Sequence, residues 1–269
     1  MTSFNKRMQF KNLHQSGNPF ILMNAWDAGS AKVLTSLGAQ AIGTTSAGHS
    51  FTLGRTDMGH ITRDEALDHA SKIVEATDLP VSADFENGFG HESEFIAETV
   101  RLAYHTGLAG ISIEDTALPD SKPYEFDIAV KRIEACVKAA RNMPEVFTLV
   151  ARADGVMNGH YDMIEAIKRI HAFAEVGADC VYVPCPRTLE ELKKICSSVT
   201  VPVNALATGE LNTLSLKEFA EAGVARISLG SGLARHIHTT LVNSSKKIIK
   251  GDFTLFQSNL PSEKIDQLL

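Results

Sequence analysis

Eight times along the chain a short apolar, β-branched run gives way to a polar turn and then to a stretch of helical periodicity. The runs fall at residues 20–24, 39–44, 81–84, 109–113, 147–151, 179–183, 201–204 and 225–229. Most are apolar at consecutive positions, the pattern of a strand buried on both faces of a parallel sheet. Between them the spacing predicts amphipathic helices, for example over 94–105, with Ile96, Val100 and Ala103 on one face, and over 128–140, with Val130, Ile133 and Val137. Gly38, Gly107, Gly177 and Gly223 each stand just before a run, where a preceding helix needs a left-handed terminating residue. Pro80 and Pro202 open the third and seventh runs, where a missing N–H costs least.

Eight strand–helix alternations without a Gly/Ser linker or a charge block leave no evident domain boundary. The expected fold is a single (β/α)8 TIM barrel spanning 1–269, and a doubly wound open sheet is the alternative. Residues 1–19 form a lead helix outside the repeat. Residues 251–269 form a tail whose Phe253, Leu255, Phe256, Leu260 and Leu268 need a surface to cover them, on this barrel or on a neighbour's.

Composition narrows the function. With 269 residues, 44% hydrophobic and 22% charged, the chain can build a core unaided. A net charge of −6 and a pI near 5.9 argue against a nucleic-acid partner. No apolar run approaches the length of a membrane span, and MTSFNKRMQF lacks a secretory apolar segment, so a cytoplasmic, membrane-free protein is expected. Cys136, Cys180, Cys185 and Cys196 show no zinc-type spacing; Cys136 and Cys180 read as small buried hydrophobes.

In a barrel, chemistry collects where strands end. Those positions hold Asp27, Thr45-Ser46-Ala47-Gly48, Asp84 and Glu86, Glu114-Asp115, Arg152 and Asp154, Cys185, Asn204, and Gly230-Ser231-Gly232, and the long loop 48–62 adds Asp57. So many carboxylates around one mouth would repel one another without a cation. All-oxygen ligands favour Mg²⁺, with Mn²⁺ as a substitute, over zinc. Taken singly, each acid is as readily an N-cap or a solvated charge. Arg152 can clamp a substrate carboxylate or close an internal salt bridge to Glu114 or Asp154. His49, His60, His91 and His160 sit in predicted loops near the mouth, as general acid/base candidates or as ordinary loop residues.

The stretches NAWDAGSA (24–31), GTTSAG (43–48) with LGRTD (53–57), SADFENGFG (82–90), ISIEDT (111–116), VARADG (150–155) and NALATG (204–209) resemble the isocitrate lyase/phosphoenolpyruvate mutase superfamily over residues 18–250. That resemblance implies a barrel whose last helix is exchanged between subunits, a homotetramer, and Mg²⁺-assisted chemistry on a small 2-oxo acid through an enolate. Residue by residue, it implies Asp84 as direct metal ligand, with Asp57, Glu86 and Glu114 acting mainly through water. It also implies Thr45, Ser46, Ala47, Arg152 and Asn204 around the substrate carboxylate, and Arg152, Asp57 and Glu114 as the catalytic group.

Glu86 replaces an aspartate usual in many members. The loop after the fourth strand reads TALPDSKPYEFD (116–127) and lacks the Lys-(Lys/Arg)-Cys-Gly-His motif of the lyases, whose cysteine protonates the departing enolate. Lys122 is present, but the asparagine of the mutase gate is not. Decarboxylation of an oxaloacetate-like acid is therefore the first expectation. P–C bond chemistry is second, a (methyl)isocitrate or dimethylmalate lyase with a substitute proton donor third, and a non-enzymatic binding barrel the outlying alternative.

Overall fold

The computed structural model describes residues 3–269. Its strands are β1 (Phe20–Asn24), β2 (Ala41–Gly43), β3 (Val81–Asp84), β4 (Gly110–Glu114), β5 (Thr116–Ala117), β6 (Lys122–Pro123), β7 (Thr148–Arg152), β8 (Cys180–Tyr182), β9 (Val203–Leu206) and β10 (Arg226–Ser228). Eight of them pair in parallel around a closed barrel, in the order β1-β2-β3-β4-β7-β8-β9-β10 and back to β1. The expected TIM barrel is thus observed, with each expected run containing or overlapping one barrel strand. Pro80 and Pro202 immediately precede β3 and β9 and give the sheet only their carbonyls, to the N–H groups of Ile42 and Val181.

Helices wrap the outside. Ser93–His105, Phe126–Arg141 and Met163–Glu175 bury Ile96, Val100, Ile133, Cys136, Ile170 and Phe173 against Ile111, Ile113, Leu149 and Ala151. The glycines expected to end helices all have positive φ, from 89° at Gly223 to 104° at Gly177. Cys136 and Cys180 are buried and free, as small core residues.

The strands do not conform to a uniformly apolar pattern. Their outward positions are apolar, but toward the mouth the inward ones are polar: Ser82 and Asp84, Ser112, Arg152, Tyr182, Arg226 and Ser228 all line the interior cavity. The opposite end is sealed by apolar residues. The lead helix Ser3–Leu13 sets Phe10 against Phe20, Leu22, Ala41 and Ala109. Its Arg7 donates to the carbonyls of Leu108 and Tyr104. The first two residues of the expected lead segment lie outside the described residues. A second departure is the antiparallel hairpin β5–β6 in the loop after β4, which pairs Thr116 with Pro123 and Ala117 with Lys122.

Beyond β10 the chain leaves the barrel as a helix, Gly232–Ile248, followed by the tail. Ile237, Leu241, Val242, Ile249, Phe253, Phe256 and Leu260 are all exposed there. No helix of the described residues is long and apolar enough to cross a membrane.

The close approach of β4 to β7 depends on Gly110, where a Cβ would lie 2.3 Å from the carbonyl oxygen of Thr148. Backbone cannot yield as a side chain can. Gly110→Ala is expected to cost at least about 1–3 kcal/mol, as overpacking does, read as a lowered denaturation midpoint. An unchanged midpoint would show that the two strands can separate freely.

Candidate active site

Arg152 ends β7 and points into the mouth, where three carboxylates surround its guanidinium. Asp154 takes Nε at 3.2 Å and NH2 at 2.6 Å, Asp84 takes NH1 at 2.8 Å, and Glu114 lies 3.3 Å from NH2. Burial works against the charge of Arg152, but Asp154, Asp84 and Glu114 outweigh it and hold the group well above the usual arginine value. Both sequence readings of this residue therefore meet in one place: the internal salt bridges exist, and they sit in the cavity.

Asp84, at the end of β3, is the hub of the rim. Its Oδ2 accepts from the Ser46 hydroxyl at 3.0 Å and more weakly from the Ser46 N–H at 3.5 Å. Its Oδ1 also accepts from Ser112 at 3.4 Å, and its N–H donates to Thr44 Oγ1. Thr45 caps the short helix Ser46–Thr52 by accepting from the Gly48 N–H. Ser46, Ala47 and Asp57 face the same cavity of about 150 Å³.

Glu86 borders the neighbouring cleft with Gly59, Asn87 and Leu118 rather than this cavity, and its backbone is strained. Its φ is +47°, uncommon for a residue with a side chain. Arg132, fully buried on the helix behind, holds the loop in this shape by donating to the carbonyls of Asn87 and His91. Its guanidinium lies 4.0 Å from the Tyr124 ring centroid. Glu86 Oε1 accepts from the Gly59 N–H at 3.2 Å, while Oε2 is buried without a partner. Burial, followed by the Asp84 and Asp57 charges, pushes its carboxyl up to about 7. Burial also raises Asp57, with repulsion from Asp84 second. It raises Glu114 most clearly, with repulsion from Asp154 adding to it.

These features fit a hard divalent cation. The donors are all oxygen, they repel one another, and one buried carboxylate oxygen lacks a partner. Among the described residues no three His, Cys, Asp or Glu side chains converge as a direct ligand set. A cation here would take few direct carboxylates and reach the rest through water, which suits Mg²⁺.

Other sequence candidates resolve differently. Asp27 is the N-cap of the helix Ala28–Ser36, the structural role open to any strand-end acid. Asn204 has both amide atoms engaged, donating to Ser228 Oγ and accepting from Arg226 Nε, each within 2.9 Å. Gly230 and Ser231 line the cavity, and Asn24 Oδ1 holds the loop there by accepting from the Leu229 and Gly230 N–H groups.

None of His49, His60, His91 and His160 lines the cavity. His49 is on a helix rather than in a loop. It stacks on His69 with ring centroids 3.8 Å apart, and burial, with the His69 charge second, lowers it to about 4. His91 hydrogen-bonds the Tyr124 hydroxyl. Sequence reasoning missed Ser82, Ser112, Tyr182, Arg226 and Ser228, although each occupies an alternate, inward position of a strand.

Asp115, next to Glu114, does not face the cavity. It accepts from the Asp154 N–H, Tyr161 Oη and Arg169 NH1, tying the loop after β7 to the helix behind it.

The sequence profile of the family described as phosphoenolpyruvate phosphomutase matches residues 10–249. A crystal structure from Burkholderia cenocepacia J2315, described as a lyase/mutase, superposes with a TM-score of 0.94 at 39% identity, covering 98% of this chain and 95% of that one. The 2,3-dimethylmalate lyase of Eubacterium barkeri is 33% identical over 76% of this chain and 71% of its own. An oxaloacetate decarboxylase of Paraburkholderia xenovorans is 31% identical over 66% of this chain and 60% of its own.

Arg152→Met would leave Asp84, Glu114 and Asp154 facing one another without their cation. Breaking a buried ion pair typically costs about 3–5 kcal/mol. A loss of that order is expected in chemical denaturation, partly recovered by adding Asp154→Asn. A variant as stable as the parent would contradict the role given to the guanidinium.

Proposed function

The chain belongs to the isocitrate lyase/phosphoenolpyruvate mutase superfamily of enzymes, and from that premise we propose that it is an Mg²⁺-dependent decarboxylase of an oxaloacetate-like 2-oxo acid. The observation that carries this reading is a rim where carboxylates grip Arg152, around a cavity with no cysteine or histidine in its described lining. A lyase acting on a 3-hydroxy adduct needs a base for the hydroxyl and an acid for the enolate. Decarboxylation needs neither for bond breaking: the C3–C4 bond cleaves, its electron pair becomes the enolate π bond, CO₂ leaves, and water protonates C3.

Asp84 would hold the cation directly, with Asp57, Glu86 and Glu114 orienting its waters. When bound, the cation supplies Lewis-acid stabilisation of the negative charge that develops on the C2 oxygen. Arg152 and the Ser46 and Ala47 N–H groups would hold the C1 carboxylate, fixing the electrostatics before charge develops. Ser46 must release Asp84 to do so. Chemistry at a P–C bond is the second reading, favoured by the phosphomutase profile.

The exposed apolar side of Gly232–Ile248 and its tail supports a homo-oligomer, a tetramer with this helix exchanged between subunits. Closed symmetry is the usual form of such assemblies, and light scattering at micromolar concentration should report four copies.

Assayed with Mg²⁺ on oxaloacetate, phosphonopyruvate, isocitrate, 2-methylisocitrate and dimethylmalate, the enzyme is expected to turn over oxaloacetate fastest. Excess chelator or Asp84→Ala should abolish that turnover. Isocitrate or methylisocitrate turnover far above that of oxaloacetate would overturn the ordering.

Metal affinity should also depend on pH. Glu86 stands at about 7 in the metal-free protein, and a cation favours its ionised form. Mg²⁺ should therefore bind more tightly as pH rises toward about 7 and level off above it, releasing a proton on binding below that value. Calorimetry in buffers of different ionisation enthalpy measures this, and Glu86→Gln should flatten the dependence.

A further inference from the structure

The cavity is lined by a second arginine that the acids of the rim do not touch. Arg226 opens β10, yet the strand register carries it to the same rung as Arg152. Arg226 lies beside Asn204, Asn204 beside Tyr182, and Tyr182 beside Arg152. Three strand spacings, roughly 14 Å of barrel wall, separate the two arginines, and both border one cavity.

Their surroundings differ sharply. Arg152 is ringed by three carboxylates and keeps one NH1 hydrogen free of them. Arg226 is 3% exposed and held through Nε by the neutral Asn204 Oδ1 at 2.8 Å. Its NH1 has no partner, and no carboxylate of the described residues forms an ion pair with it. Compensation is weak: Asp84 acts on it only at a distance, without an ion pair, Tyr182 is a phenol held neutral by burial, and burial, with the Arg226 charge second, drives His14 down to about 3. Taking a guanidinium out of water without an ion-pair partner is strongly unfavourable. Water can supply a missing hydrogen bond, but not a missing charge. Asn204, fixed at its other end by Ser228, orients this cation.

We propose that Arg226 receives the second anionic group of the substrate, so that the site selects 2-oxo acids carrying a distal carboxylate or phosphonate over those with a single carboxylate. The inference rests on reading the cavity as a 2-oxo acid site. The C1 carboxylate stays at the Arg152 and Ser46 end, and the distal anion lies toward β9 and β10. Arg226 is then a specificity-determining residue for the distal anion.

The test uses stable 2-hydroxy analogues, titrated calorimetrically into the Mg²⁺-supplemented protein. Lactate lacks the distal charge, malate carries a carboxylate there, and 3-phosphonolactate a phosphonate. Wild-type protein is expected to bind malate or 3-phosphonolactate at least about tenfold more tightly than lactate, and the tighter of the two identifies the distal group. Arg226→Met should bring that ratio close to one.

Asn204→Asp provides a second arm should Arg226→Met fail to fold. It places a carboxylate against Nε, neutralises the guanidinium where it stands, and should lower the same ratio without loss of thermal stability. Folded variants that keep the wild-type ratio overturn the proposal. Equal wild-type binding of all three acids overturns it and leaves the 2-oxo acid reading standing. Binding of none removes both.

Discussion

Everything at the mouth of this barrel depends on crowding carboxylates around one buried guanidinium. Asp84, Glu114 and Asp154 come from the ends or following loops of three strands, and Arg152 alone holds them together. In water such a cluster would disperse. In the barrel the strand ends fix its members, and burial first, with carboxylate repulsion behind it, raises the carboxyl pKa values of Asp57, Glu86 and Glu114. Even with Arg226 in the same cavity, two positive charges among five acids leave an excess of negative charge. That imbalance is the physical reason for proposing a divalent cation here, one that would be held mostly through water.

The scaffold keeps the cluster in place with a further layer of polar contacts. Asp115 fixes the backbone of Asp154, which grips Arg152 from two sides. Arg132 holds the loop that presents Glu86 in an unfavourable backbone conformation. Asn24 fixes the loop after β10, and Asn204 orients Arg226. The acids are therefore arranged before any ligand arrives, which is the condition for electrostatic catalysis to be effective.

Much of this was legible in the sequence. The repeat of apolar run and helix gave the barrel, because strands packed against helices need an apolar outer face whatever they carry inside. Asp84, Glu114 and Arg152 stood out as charges that end such runs. Arg226 did not, because it begins its run. Only the tilt of strands in a closed barrel, which offsets each from the next, brings this strand's first residue level with the last residues of β8 and β7, two and three strands away. The inward serines were hidden for a related reason: a short run of mixed apolar and small residues reads as buried without showing which face is polar. The β5–β6 hairpin and the stack of His49 on His69 rest on contacts between distant segments, which no local pattern encodes.

The central claim is that Asp84 anchors a cation whose charge the substrate's 2-oxo acid end requires. Oxalate imitates the planar enolate of a 2-oxo acid, so its binding isolates that requirement from turnover. Titration calorimetry of oxalate should show binding to the wild-type protein only when Mg²⁺ is present, and none to Asp84→Asn under the same conditions. Oxalate bound equally well in excess chelator, or undiminished in Asp84→Asn, would contradict the account.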